Sequence, residues 1–120
     1  MKNIKRQIAN LKSSSSKGFT MQSMMAVEQK TVIGSNIDRI NGTNSDAVKS
    51  SYGFTLPEAP IGKQITIKNT GSNKFSIYSS LKINDENGSI VLDAGETAFC
   101  TCESTTNWLV DVRTLEVPTK

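Results

Sequence analysis

At 120 residues and 13.0 kDa, with 36% hydrophobic and 6% aromatic residues, the chain has room for one small domain with a thin apolar core and a tail. The net charge of +3 is unevenly placed: the first 30 residues hold six basic residues against Glu28 alone, and the other 90 hold eight basic against ten acidic. No apolar run reaches the ~20 residues of a membrane-spanning helix, no apolar segment follows the basic N-terminus as a secretory signal requires, and the lack of histidine removes the usual base for a nucleophile.

Residues 1–30 read as a basic attachment arm. Ile4, Ile8 and Leu11 fall at helical spacing, with Lys2, Lys5, Arg6 and Lys12 largely elsewhere on the wheel, which predicts a short amphipathic helix over 2–12. Such a helix is marginal alone in water and needs a partner surface. Residues 13–18, Ser-Ser-Ser-Ser-Lys-Gly, form a flexible linker. Phe19, Met21, Met24, Met25 and Val27 make a second apolar patch, either a helix turn or an extended segment. Adaptable methionines suit it to docking and to packing under the domain alike. A basic arm on a mildly acidic body suits an acidic surface, protein or nucleic acid.

From Thr31 the pattern becomes that of a β domain, taken as residues 31–115, with 116–120 as a C-terminal tail. Thr31 to Ile33 and Asn36 to Ile40 read as short strands, and Asn41-Gly42 as a turn dipeptide. Residues 42–51 are polar and read as a loop before a strand at Tyr52 to Leu56. Pro57 and Pro60 then flank a bend, and Gly62 permits positive φ. Further strands are expected at about 63–69, 74–79, 81–84, 89–92, 96–103 and 107–113, from alternating apolar residues bounded by Gly, Asn, Asp and Ser. Strand spacing of about ten residues predicts an all-β fold, an antiparallel β-sandwich or jelly-roll-like barrel. Ile65, Ile67, Phe75, Ile77, Leu92, Phe99 and Trp108 are the expected core or subunit-interface residues. Trp108, in phase with Val110 and Val112, is expected to be an anchor rather than a sugar-stacking platform.

Candidate chemistry is sparse. Cys100 and Cys102 share a strand face, so a disulfide between them would be strained, and buried reduced thiols are expected. Asp85, Glu86 and Asn87 offer oxygen atoms, but their spacing fits no established calcium loop and they read as a solvated turn. There is no phosphate-cradling glycine motif, and the arm lacks the interleaved aromatics of a nucleic-acid platform. No catalytic residue, metal or cofactor is expected, and neither a nucleic-acid nor a membrane partner.

The ordered series Leu56-Pro57-Glu58-Ala59-Pro60-Ile61-Gly62, Ile67 to Gly71, Ile77 to Asn84, Leu92 to Cys100 and a closing Trp108 resembles a small β domain of tailed-bacteriophage virion proteins. That domain is repeated in head-decoration, head-fibre and some tail-associated proteins. The likeness covers roughly residues 31–113, about two thirds of the chain; the arm lies outside it. Where family members often carry a proline after the tyrosine and a glycine before Ile-Asn, this chain has Ser79 and Lys82.

The resemblance implies a non-enzymatic homotrimer made in the bacterial cytoplasm and carried on the capsid surface as a decoration or cement protein. Its partner would be the major capsid protein or another virion protein; the attachment residues lie outside the resemblance and are read from the arm's own charge and apolar spacing, Lys2, Ile4, Lys5, Arg6, Ile8, Leu11 and Lys12. One alternative is a head-fibre or tail-fibre base that mediates trimerisation; the short segment after Arg113, without a shaft or receptor-binding module, favours decoration. A second alternative is a carbohydrate-binding β module that meets glycans through Trp108, Tyr52 or Tyr78.

Overall fold

The computed structural model describes residues 19–114, which fold as ten strands in two packed sheets, a β-sandwich. The strands are β1 (Met21–Ala26), β2 (Thr31–Val32), β3 (Arg39–Asn44), β4 (Gly53–Leu56), β5 (Gln64–Asn69), β6 (Phe75–Ser79), β7 (Lys82–Ile83), β8 (Ile90–Leu92), β9 (Glu96–Ser104) and β10 (Asn107–Thr114). The larger sheet has the order β1-β3-β5-β9-β10-β7 and the smaller β2-β4-β6-β8. The expected all-β sandwich is therefore present, and from β5 onward each expected strand lies within two residues of its observed bounds.

The pairing is mixed rather than antiparallel. β1 runs parallel to β3, β3 to β5, β2 to β4 and β4 to β6. The chain thus winds between the sheets in three successive coils, β1–β2, β3–β4 and β5–β6. The remaining strands close one end: β8 pairs antiparallel with β6, β9 with β5 and β10 with β9, while β7 adds parallel to β10. This is not jelly-roll connectivity. Strand spacing and alternation are the same for wound and meandering chains, so the sequence pattern did not distinguish them.

Two further expectations are corrected. Met21–Ala26, placed in the arm by the sequence, is an edge strand of the larger sheet, and Ala26 is fully buried in the core. Asn41-Gly42 is no turn; it lies within β3. A Cβ at residue 42 would sit 2.9 Å from Phe54 and 3.0 Å from Phe75, so glycine there admits the aromatic pair rather than reversing the chain. The two rings meet edge to face at 5.0 Å.

Matching turns hold the second and third coils. Asn44 ends β3 and Asn69 ends β5, both buried. The Asn44 carboxamide donates to the carbonyls of Lys49 and Lys74 (2.8 and 2.9 Å) and accepts from Asp46 N–H at 3.0 Å. The Asn69 carboxamide donates to Asn73 and Leu92 (2.9 and 3.0 Å) and accepts from Gly71 N–H at 3.0 Å. Each amide therefore closes its own turn and ties it to a later segment, the residue before β6 for Asn44 and β8 for Asn69. Replacing Asn69 by alanine would orphan the buried Leu92 carbonyl and the half-buried Asn73 carbonyl and Gly71 N–H. The expected loss is about 1–3 kcal/mol of unfolding free energy in urea titration, and a loss within error of zero would refute the role.

Candidate functional site

The attachment residues Lys2, Ile4, Lys5, Arg6, Ile8, Leu11 and Lys12 lie outside the described residues. What can be described is the place where the arm joins the body. Thr20, just before β1, donates its N–H to Asp38 Oδ2 at 2.7 Å, and its carbonyl accepts from the N–H groups of Asp38 and Arg39 at 2.8 and 3.1 Å. Asp38 Oδ1 is 2.8 Å from Lys63 Nζ, and the Asp38 carbonyl accepts from Thr66 N–H at 2.9 Å. One residue thus fastens the start of β1 to β3 and β5. The Lys63 hydrogen bond, foremost, and the Thr20 N–H hold the Asp38 carboxyl below its ordinary range of about 3.8.

The first coil carries much of the exposed apolar side-chain surface, divided between the outer faces of the two sheets. Of ten exposed large apolar side chains among the described residues, five (Phe19, Met21, Met25, Val27 and Val32) lie on or beside the first coil. Met21 and Met25 point outward from β1, opposite in phase to the buried Ala26. Val32 points outward from β2, between Thr31 and the buried Ile33. β1 and β2 are also the edge strands of their sheets, at the end of the winding that β7–β10 do not close.

Six of the seven expected core or interface residues are core. Ile65, Ile67, Phe75, Ile77, Leu92 and Trp108 are at most 1% exposed. Trp108 donates its indole N–H to the Pro57 carbonyl at 3.1 Å, and Cys102 exchanges backbone bonds with Gly62 and Lys63. The Leu56-to-Gly62 segment therefore closes over the Trp108 end of the core. Phe99 is the exception. It alternates with the inward Ala98 and Cys100 and lies on the outer face of the larger sheet, 39% exposed. The Arg113 guanidinium sits 5.4 Å from its ring centroid and is held by Asp111 at 2.8 Å. With Leu109 nearby, 44% exposed, it lines a shallow apolar depression.

Full burial removes Trp108 from any sugar platform. Tyr78 lines a polar cleft of about 340 Å³ with Lys30, Ser79, Ser80 and Ser89. The Lys30 ammonium lies 5.0 Å from the Tyr78 ring centroid, on the face a sugar would stack against, and Lys49 lies 5.8 Å from that of Tyr52. Asn84 and Asp85 have positive φ (52° and 68°) between Ile83 and Glu86, which exchange backbone hydrogen bonds at 2.9 Å, a type I′ turn. Asn107 Oδ1 accepts from Asp85 N–H at 2.7 Å, and the Asn84 side chain pairs with both backbone groups of Val110. The Asp85-Glu86 pair is thus part of a braced surface turn, and among the described residues no group of three or more histidine, cysteine or carboxylate side chains is placed to hold a metal.

Cys100 and Cys102 are both buried and unbridged, as the sequence suggested. Burial pushes the Cys100 thiol up to about 12, whereas Cys102 Sγ lies 3.3 Å from the Ala59 carbonyl. Comparison with protein-family models, curated proteins and solved structures found no match.

Cys100 has a testable consequence for alkaline stability. A thiol ionising near 9 when unfolded and near 12 when folded favours the native state below pH 9, and that contribution is lost as pH rises from 9 to 12. Unfolding midpoints should therefore fall across that range and fall less in Cys100→Ala; equal slopes would overturn the assignment. Asp38 acts in the opposite sense. Its lowered pKa contributes stability above about pH 3.8 that is lost on acidification, and Asp38→Asn should flatten the acid limb of the same profile.

Proposed function

We propose that this chain is a non-enzymatic structural protein of a tailed-bacteriophage virion, a homotrimeric decoration protein that meets the shell with its N-terminal arm and the adjoining first coil. The sandwich would project outward as the visible body. Three exposed apolar side chains beside the arm junction, Phe19, Met21 and Met25 on the outer face of the larger sheet, carry this proposal, because a solvated sheet face would not favour them. Support also comes from the ordered motif series. Its Leu56-to-Gly62 stretch closes over Trp108, its Asn69-to-Gly71 stretch forms a turn, and its Leu92-to-Cys100 stretch passes through a reversal at Gly95, where φ is +85°.

Attachment would combine charge and apolar contact. At physiological salt the Debye length is about 8 Å, so the lysines mainly steer and orient, while buried apolar area supplies salt-resistant affinity. A deletion that tests this must spare β1 and β2, which belong to the sheets. Removal of residues 1–18 should leave the β circular-dichroism spectrum unchanged and abolish decoration of particles that lack the protein. Full occupancy by the truncated chain, scored by cryo-EM of the particles, would sink the proposal. Mass photometry of particle-released protein should give the trimer mass, and a monomer would remove that part of it.

A further inference from the structure

The sequence holds Asn-Gly twice, and the fold treats the two dipeptides in opposite ways. Asn41-Gly42 lies inside β3, paired with Ser23 and Met24 of β1 on one side and with Lys68 and Asn69 of β5 on the other. The Asn41 carboxamide accepts from Arg39 Nε at 3.0 Å and donates to Met21 Sδ at 3.6 Å. Gly42 is buried against the rings of Phe54 and Phe75. Asn87-Gly88 lies instead in the connection between β7 and β8, and both residues are exposed. The hydrogen-bonded turn ends at Glu86 and β8 begins at Ile90. Among the described residues, no hydrogen bond holds the Asn87 carboxamide or the Gly88 N–H. A Cβ built at Gly88 would meet nothing within 4 Å.

We propose that Asn87 is a self-modification site, deamidating through a cyclic imide formed with Gly88, while the fold preserves Asn41. The Gly88 backbone nitrogen gives its proton to water or hydroxide and attacks the side-chain carbonyl carbon of Asn87. The new C–N bond closes a succinimide ring, and the carboxamide nitrogen takes up a proton and leaves as ammonia. Water then opens the ring at either carbonyl, giving aspartate or isoaspartate. No oxidant, reductant or cofactor enters. The step needs a nitrogen that no side chain shields and a backbone free to rotate, and glycine in an unpaired connection supplies both. In β3 the same rotation would break ladder bonds on both sides. The product changes a definite place on the surface. Asn87, Gly88 and Ser89 line the cleft that holds Tyr78, and Lys30 is the only charged residue of its lining. Deamidation sets a carboxylate against that ammonium and makes residues 85–87 a run of acids. The isoaspartate form also lengthens the backbone by a methylene, in a stretch with no pairing to lose. The chemistry is the same whatever the chain attaches to.

Peptide mass mapping of full-length protein aged at mildly alkaline pH tests the site, with the urea-unfolded chain as reference. Without structure the two Asn-Gly dipeptides are equivalent, so in urea Asn41 and Asn87 should convert at the same rate. In the folded protein Asn87 should convert at least about tenfold faster than Asn41, which reacts only when its ladder opens. The product peptide should contain both aspartate and isoaspartate. An acidic species should grow in ion-exchange chromatography of the wild type and be absent from Asn87→Gln. Because ring closure follows proton loss, its rate should rise with pH. Asn87 still intact when the unfolded chain has converted would overturn the proposal. Equal rates at the two positions in the folded protein would do the same.

Discussion

The fold depends on satisfying backbone groups at the places where the chain crosses between sheets. A strand that changes sheets at each turn cannot complete a ladder there, and its carbonyls face the interior. Asn44 and Asn69 solve this with one device used twice. Each stands at the end of a strand, each accepts an N–H two residues on, and each gives one amide proton to a carbonyl of its own turn and the other to a later segment, Lys74 just before β6 for Asn44 and Leu92 in β8 for Asn69. A carboxamide suits the position because it has two donors and an acceptor without a charge to bury. The two sites recur 25 residues apart, one in each of the second and third coils.

With the turns held this way, a modest core suffices. Phe54 and Phe75 fill the centre, and Gly42 removes the side chain that would separate them from β3. Trp108 fills the other end beneath the Pro57–Lys63 segment, opposite the small Cys102 in the antiparallel ladder. The inward residues of β9 are small, Ala98, Cys100 and Cys102, because large neighbours occupy the space between the sheets. That choice also explains Phe99. The only large residue in this part of β9 faces away from the core, where Arg113 covers one side of its ring.

Most of the strands were legible because alternation and turn chemistry agree from Gln64 onward. Topology was not, since period-2 patterns carry no information about which strand lies beside which. The misread positions share a physical cause. Asn41-Gly42 has the composition of a turn, yet its glycine answers to two rings that approach from distant sequence. Met21–Ala26 lacks clean alternation because its only fully buried residue is a small alanine, and the exposed methionines resemble a docking patch. Phe99 is apolar and in a strand, but its phase is set by smaller neighbours. The repeated asparagine device is not legible in the sequence: Asn44 falls in the stretch expected to be a loop and Asn69 at the end of an expected strand, and only the structure shows that both end strands and are buried.

The arm junction shows how attachment and fold share the same bonds. Thr20 is tied to Asp38 by a side-chain and a backbone hydrogen bond and to Arg39 by a second backbone bond, and Asp38 is tied to Lys63 and Thr66, which belong to the third coil. Beyond the clasp, all six residues of β1 pair in register with β3. A pull along the arm in the direction of β1 therefore loads these bonds together, in shear, and passes to β5 through Asp38. A pull away from the sheet would open them singly, beginning at Thr20. The edge strand at the end of the winding is then the element through which an outside load enters the sandwich, and its clasp is where resistance begins.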